Sequence, residues 1–132
     1  MREIRFRGKR TDTKEWVYGY LADGDMICNW SKDRISYEVI PHTVGQFTGL
    51  HDKNGKEIYE GDIIRSFDSE GEPIIHSVVW CGPCAKFSAL LDSNSKYGRT
   101  YCDLDKDWID KFCKEVFGNI YDNQEFLKGG NK

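Results

Sequence analysis

One stretch of the sequence constrains the fold more than any other. Residues 37–65 alternate short apolar runs with glycine and with Asp or Asn turn residues. The first run ends at Pro41, which has no backbone N–H to donate and therefore marks the end or the edge of a strand. Residues 52–55, DKNG, have the composition of a tight turn, because Asn and Gly tolerate positive φ and Asp bonds forward to the backbone. Gly61 and Asp62 then lead into a second apolar run, so the stretch predicts strand, turn, strand.

The composition indicates one well-packed domain. Of 132 residues, 39% are hydrophobic and 31% are charged, which is enough for one core with a solvated surface. We predict a single domain over residues 1–127 and a disordered tail over residues 128–132. No apolar run approaches the roughly 20 residues of a membrane helix, and the first ten residues lack the apolar centre of a signal peptide. We therefore expect a cytoplasmic protein.

Further strands are predicted from period-two alternation and from apolar runs. Residues 1–10 alternate apolar with basic side chains, as a half-buried strand does. Residues 15–21 carry aromatic rings at alternate positions, and a turn at residues 23–25 predicts a hairpin with residues 26–30. Residues 74–80 include the most apolar run of the chain, and we expect this strand at the centre of the sheet.

One helix is predicted near the C-terminus. Apolar residues recur there at intervals of three and four, which is the spacing of one helical face. They are Leu104, Trp108, Ile109, Phe112, Cys113, Val116 and Phe117. Asp103 or Asp105 can cap the first turn through a side-chain oxygen. We expect a helix from about Asp105 to Lys114.

Three blocks of the sequence resemble the YopX family of small phage and prophage proteins. In the family's order they are EWVYGYL at residues 15–21, YEVIPHTVGQFTGLHDKNGKEIYEGDII at residues 37–64 and EVFGNIYDNQEFL at residues 115–127. The resemblance implies a mainly β fold with a small SH3-like barrel core and one short α-helix near the C-terminus. It also implies a last strand from Glu115 to Tyr121. It implies a fold more than a function, because the family has no established biochemical activity.

Residues 80–84, WCGPC, match the redox motif of thioredoxins and follow a predicted strand. Redox chemistry needs the first cysteine at a helix N-terminus, where its thiolate is stabilised. No proline follows Pro83 to form a substrate-clamping loop, and no βαβ pattern surrounds the motif. The resemblance instead places a two-residue hairpin here, with Gly82 and Pro83 at its centre. Cys81 and Cys84 would then face each other with Cα atoms about 5.5 Å apart, within reach of a disulfide.

Zinc binding is a second chemical interpretation of the cysteines. The candidate ligands are Cys81, Cys84, Cys102, Cys113 and His76. The first two have the spacing of a zinc half-site, but the last two cysteines do not form a second close pair. Five cysteines without an export signal predict reduced thiols. His42 and His51 have no second ligand at helical or hairpin spacing, so we predict surface loop histidines and assign no metal.

The residues near the N-terminus include the best candidates for a nucleic-acid surface. They are Arg5, Arg7, Lys9, Trp16, Tyr18 and Tyr20. Aromatic rows stack on single-stranded bases, and basic side chains contact phosphates. The net charge of −3 argues against a chain-wide basic surface. We favour a solvated basic face and rings that build the core or cross-strand pairs, because the basic residues do not interleave with the rings.

The sequence contains no recognisable catalytic constellation. The glycine-rich segment from Gly45 to Gly61 lacks the ending of a phosphate loop, and no Ser/His/Asp set stands out. We predict a phage- or prophage-encoded accessory protein that is not an enzyme and has no catalytic residues and no cofactor. It would act as a protein-interaction module that binds a protein partner or itself as a homo-oligomer. The alternatives are a single-stranded nucleic-acid binder and a thiol-disulfide oxidoreductase acting through Cys81 and Cys84.

Overall fold

The computed structural model describes residues 4–23, 25–29, 33–83, 85–91 and 100–123. The chain divides into two compact units, which we name unit 1 (Met1–Gly49) and unit 2 (Leu50–Lys132). The single domain expected over residues 1–127 stays a prediction. The tail predicted over residues 128–132 lies outside the described residues.

The described residues form strands, one 3-10 turn and one α-helix. In chain order the strands are β1 (Phe6–Lys9), β2 (Trp16–Asp23), β3 (Met26–Cys28), β4 (Ser36–Glu38), β5 (Gly45–His51), β6 (Glu57–Tyr59), β7 (Asp62–Phe67), β8 (Pro73–Cys81), β9 (Lys86–Leu91), β10 (Thr100–Asp103) and β11 (Glu115–Asn119). The 3-10 turn spans Pro41–Thr43, and the helix α1 spans Lys106–Lys111. The strands make two antiparallel sheets, ordered β4-β3-β2-β1-β5-β6 and β10-β9-β8-β7-β11.

Unit 1 is built on β1 to β4 and most of β5. The hairpin predicted for residues 15–21 and 26–30 is confirmed as β2 and β3, and its turn residue Gly24 lies outside the described residues. The core of unit 1 consists of Val17, Ile27 and Val39, with Phe6, Tyr37 and Val44 packed against them. Gly8 lets β1 approach this core closely, because a Cβ at Gly8 would lie 3.0 Å from the Cβ of Val39.

Unit 2 has β8 at the centre of its sheet, as the apolar run at residues 74–80 predicted. Its core side chains come from β6 to β9, from α1 and from the segment between β10 and α1. They are Ile58, Ile64, Val78, Phe87, Leu104 and Ile109, with Leu50, Trp108 and Val116 packed against them. Val78 is the buried apolar residue of this run, whereas Trp80 is 50% exposed.

The DKNG turn at residues 52–55 is also confirmed. Asp52 Oδ1 accepts hydrogen bonds from the backbone N–H groups of Asn54 at 2.8 Å and Lys56 at 2.9 Å. Gly55 has a φ of 85°, which glycine adopts without steric cost. Asp52 Oδ2 accepts from the N–H of Val116 at 2.7 Å. One carboxylate thus shapes the turn and attaches it to β11.

The helix α1 is shorter than the sequence predicted. Asp105 caps it as expected, with Oδ1 accepting from the N–H of Trp108 at 2.8 Å. The helix ends at Lys111 rather than near Lys114, because Cys113 adopts a positive φ of 53°. The N–H of Lys114 then donates to the carbonyl of Ile109 at 3.0 Å, which completes a Schellman-type stop. Glycine usually occupies the left-handed position of this stop, so a cysteine at residue 113 does not predict it.

The last strand is present as β11, which ends at Asn119 rather than at Tyr121. Its pairing with β7 shifts between Val116 and Gly118, so Phe117 is the extra residue of a bulge. No closed barrel is detected in the described part of the chain, where each sheet keeps two separate edge strands. The fold established here is therefore two antiparallel sheets with one short helix, and the predicted SH3-like barrel is not shown.

Among the described residues, no helix has the length and apolar character that crossing a membrane requires.

Candidate functional site

Five side chains of unit 2 form a cluster of polar groups around one indole ring at the edge of its core. The Lys114 cluster, as we name it, consists of Ser66, His76, Cys102, Trp108 and Lys114. Ser66 lies on β7, His76 on β8 and Cys102 on β10, while Trp108 lies on α1 and Lys114 directly precedes β11. Ile64 pairs with both His76 and Val116, so the alternation of strands places these side chains on the core face.

Lys114 is the most unusual member of the cluster, because lysine is almost never fully buried without a partner charge. Its residue is 3% exposed. Its Nζ donates to Ser66 Oγ at 2.7 Å and lies 4.3 Å from the centroid of the Trp108 ring. Burial lowers the pKa of Lys114 from 10.5 to about 8, because desolvation disfavours the ammonium form. Within the described residues no carboxylate forms an ion pair with Lys114.

The stop of helix α1 explains why a lysine is buried at this position. In a Schellman motif the residue after the left-handed position commonly packs back on the last turns of the helix. Here that residue is Lys114, and its backbone is fixed on both sides. Its N–H donates to the Ile109 carbonyl at 3.0 Å, and its own carbonyl accepts from the N–H of Lys53 at 3.0 Å. The backbone therefore directs the lysine side chain inward.

His76 is buried beside the lysine and is also 3% exposed. Its Nε2 lies 3.6 Å from Cys102 Sγ, and its ring meets Trp108 edge to face at a centroid distance of 5.1 Å. Burial, and then the charge of Lys114, lower the pKa of His76 from 6.5 to about 4. The imidazole is therefore neutral at pH 7. Its Nδ1 is buried without a hydrogen-bond partner in the described part of the chain.

A small residue on β9 lets the side chains of His76 and Cys102 meet. They lie on β8 and β10, which are separated by β9, and neighbouring strands are about 4.8 Å apart. Ala89 pairs with Cys102 and with Val78 on either side of β9, and its small side chain is fully buried. The two longer side chains meet because a small residue lies on the strand between them.

The cluster offers hydrogen-bond donors more than it offers a nucleophile. Ser66 and Lys114 have the contact that a nucleophilic serine and its lysine base would make. However, Nζ donates to Ser66 Oγ, and with a pKa of about 8 the lysine is mostly an ammonium at pH 7, so it is not available as the base. A neutral His76 and a buried ammonium instead create a place where a hydrogen-bond acceptor would be stabilised.

Unit 1 brings together residues that the sequence analysis kept apart. Arg7 Cζ lies 4.6 Å from the centroid of the Trp16 ring, and Lys9 Nζ lies 5.7 Å from it. Arg5 Cζ lies 5.0 Å from the centroid of Phe47. The expectation that basic residues do not interleave with the rings was wrong, because antiparallel pairing places Lys9 opposite Trp16 across two strands.

In this basic and aromatic set the tyrosines are exposed and Arg7 is buried. Tyr18 is 41% exposed and Tyr20 is 50% exposed, so neither ring lies in the core, and both instead stand in cross-strand pairs, which was the other predicted role. Arg7 is only 6% exposed, so the prediction of a solvated basic face is wrong at this residue. Tyr18 pairs with Arg7 on β1, and alternation places Tyr20 on the same face. We name Trp16, Tyr18 and Tyr20 the β2 aromatic row.

Comparison with known proteins identifies the family. Residues 5–128 match the family described as YopX protein. The chain belongs to the YopX family. This confirms the resemblance carried by the three sequence blocks. No curated protein sequence matches the chain.

The crystal structure of protein EF1440 from Enterococcus faecalis is similar to this YopX-family chain. The TM-score is 0.57 at 22% sequence identity, and the alignment covers 96% of this chain and 99% of that chain. At this identity the similarity supports the fold and assigns no activity. The function of this chain therefore has to be inferred from its own side chains rather than from the fold.

The CGPC motif of this YopX-family chain forms a longer loop than predicted. Cys81 pairs with Lys86, so β8 and β9 are connected by a loop of four residues rather than by a two-residue turn. The N–H of Ala85 donates to the carbonyl of Gly82 at 3.1 Å. Cys84 lies outside the described residues, and the prediction that it stands opposite Cys81 is wrong, because Lys86 occupies that position. A strand, not a helix, follows the motif, and the helix N-terminus that would activate Cys81 is therefore missing.

The structure does not gather the candidate zinc ligands in the part of the chain that it describes. No group of three or more His, Cys, Asp or Glu side chains is arranged there to hold a metal. Cys102 contacts His76, while Cys81 is half-buried and Cys113 is exposed. The predicted exposure of His42 and His51 is confirmed at the 3-10 turn and at the end of β5.

Ser66 and Lys114 were not among the residues predicted to form a site. Neither residue belongs to a motif, and the predicted last strand began one residue after the lysine. One signal was available: Lys114, Val116 and Gly118 have the spacing of one strand face, so a lysine starts a face that is otherwise apolar. A charge at a core position of a strand is a reason to look for a partner.

Proposed function

We propose that this chain is a non-enzymatic accessory protein that acts by binding another protein through the β2 aromatic row. Tyr18 and Tyr20 carry the proposal, because two rings that are 41% and 50% exposed stand on one face of one strand. Tyrosine, tryptophan and arginine are the residues most enriched at the energetic centres of protein interfaces. Trp16 and Arg7 supply the other two types on the same face.

The row stands on a rigid support. β2 pairs with β1 on one side and with β3 on the other, so its backbone is held along its length. Tyrosine has only two side-chain torsions, and a strand fixes the direction of its ring, so little conformational entropy is lost when a partner binds. A preorganised aromatic row of this kind favours binding over catalysis.

The partner belongs to the cells that carry the phage or prophage, or it is a second copy of the chain.

We also propose that the five strands of unit 2 form an SH3-like core. β7 to β10 form a meander, and β11 returns after α1 to pair with β7. This is the strand connectivity that an SH3-like core of five strands would have.

The experiment compares wild type with a Tyr18→Ser/Tyr20→Ser variant and with Tyr101→Ser as the matched control, since Tyr101 is 57% exposed in unit 2. Sedimentation velocity measures self-association, and quantitative affinity capture from host cells measures partner binding. We expect the double variant, and not the control, to lose the self-association or the captured partner. The proposal is wrong if wild type is monomeric and captures the same proteins as the double variant.

Single-stranded nucleic-acid binding is the second candidate, because Arg7 and Lys9 lie over the Trp16 ring. Stacking on rings beside basic side chains is how such proteins bind. Against it, Arg7 is 6% exposed and the net charge is −3. Wild type and Trp16→Leu are titrated with oligothymidylate at low salt, and their tryptophan fluorescence is measured. Saturable quenching that Trp16→Leu lacks would favour this candidate, and no quenching would remove it.

A further inference from the structure

Lys114 carries a buried positive charge that the described chain does not neutralise. An ammonium has three N–H donors, and here one hydrogen bond is made, to Ser66 Oγ at 2.7 Å. The other contacts of Nζ are to aromatic rings, with centroid distances of 4.3 Å to Trp108 and 5.7 Å to Phe112. Rings attract a cation but do not cancel its charge. The N–H groups not used by Ser66 therefore favour an anionic acceptor.

His76 supplies a second observation at the same place. His76 is only 3% exposed, and its Nδ1 has no hydrogen-bond partner among the described residues. Nε2 contacts Cys102 Sγ, and when the thiol donates to Nε2 the ring proton resides on Nδ1. Nδ1 is thus the ring nitrogen left for an acceptor, and the His76 ring lies close enough to Lys114 for the ammonium charge to lower the pKa of His76. Native proteins rarely leave such a buried group without a partner.

Both donors border the same ring. Lys114 lies over the face of Trp108, and His76 meets the indole edge to face at a centroid distance of 5.1 Å. Trp108 and Cys102 are half-buried rather than buried, so the cluster reaches the surface at these two side chains. Two hydrogen-bonding groups and one positive charge thus border one ring at the edge of the core.

We infer that the Lys114 cluster is a binding site for a small oxyanion, with the ammonium of Lys114 supplying the charge and Nδ1–H of His76 a second hydrogen bond. A carboxylate fits this pair, because its two oxygens accept from two donors. A phosphate offers the same chemistry with more oxygens. The inference is independent of the β2 aromatic row, which lies in unit 1.

The test follows the imidazole of His76 by NMR in the wild-type chain. Acetate and inorganic phosphate are titrated separately, and chloride is titrated at matched ionic strength. We expect one of the two oxyanions to shift the His76 and Trp108 ring signals saturably and to raise the pKa of His76 by about one unit, because a bound negative charge favours the imidazolium. Acetate or phosphate as the active ion identifies the class of ligand.

Variants separate a built site from general salt effects. Lys114→Met should abolish the saturable shift, and Lys111→Met, an exposed lysine at the end of α1, should retain it. A shift that chloride reproduces, or that persists in Lys114→Met, overturns the inference. So does the absence of any saturable shift in wild type, which needs no variant to fold.

Discussion

Removing the charge of Lys114 should stabilise the protein at neutral pH. The pKa of this buried lysine is lowered from 10.5 to about 8, which corresponds to about 3 kcal/mol of unfavourable burial of the ammonium. Lys114→Met alone would leave the hydroxyl of Ser66 buried without its partner, at a cost of about 1–3 kcal/mol. The informative change is therefore Lys114→Met combined with Ser66→Ala. It removes both partners and keeps an unbranched side chain against Trp108.

The expected increase in the free energy of unfolding is the difference between two contributions. About 3 kcal/mol of desolvation is relieved, and about 1 kcal/mol is lost with the hydrogen bond to Ser66. Methionine retains a favourable contact with the Trp108 ring. The double variant should thus have a free energy of unfolding about 2 kcal/mol higher than wild type at pH 7.

The pH dependence of the free energy of unfolding shows whether the charge of Lys114 causes the difference in stability. The pKa of Lys114 is lower in the folded chain than in the unfolded chain, so between pH 8 and 10.5 the unfolded chain binds more protons. The stability of wild type therefore rises with pH in this window. The advantage of the double variant should shrink by about 2 kcal/mol between pH 7 and pH 9.5 and nearly vanish.

Urea denaturation followed by circular dichroism measures both values, in amine buffers that contain no oxyanion. Lys111→Met is the control, and its free energy of unfolding should differ from wild type by less than about 0.5 kcal/mol at both pH values. The reasoning is refuted if the double variant is less stable than wild type at pH 7. It is equally refuted if its advantage is the same at pH 7 and pH 9.5.

Three further changes test the fold and the titration of the core. Asp52→Ala should lower the free energy of unfolding by about 3 kcal/mol, because three backbone N–H groups lose a charged acceptor, and urea denaturation against Asp52→Asn, which keeps one oxygen, checks this. Gly8→Ala should cost about 1–3 kcal/mol by crowding Val39, whereas Gly82→Ala, with open space around it, should change the melting temperature little. The folded pKa of His76 is lowered to about 4, so stability should fall as the pH drops from 6.5 toward 4, by up to about 3 kcal/mol. Urea denaturation of His76→Phe at pH 7 and pH 4.5 should show a smaller loss than wild type, and an equal loss would contradict the assignment.

Local chemistry explains which parts of the fold could be predicted from sequence. The turn at residues 52–55 was predictable because the Asp52 side chain bonds the backbone within four residues. The central position of β8 was predictable from its apolar run, although the buried side chains of the strand include His76 and Ser77 as well as Val78. The end of α1 was not, since Cys113 adopts a left-handed conformation that its residue type does not indicate. The predicted two-residue turn after Cys81 was also wrong, because the composition of CGPC fits several loop lengths.

The Lys114 cluster escaped prediction for a different reason, which is that its contacts are distant in sequence. Ser66 and Lys114 are 48 positions apart, and His76 and Cys102 are 26 apart. Spacing rules detect ligands on one turn or one hairpin, and neither pair meets that condition. Such a cluster is specified by the order of five strands, since β11 must return beside β7 before the lysine can reach the serine. A lysine that begins an otherwise apolar strand face is the only local trace of it, and such a residue deserves a search for its partner once the strand order is known.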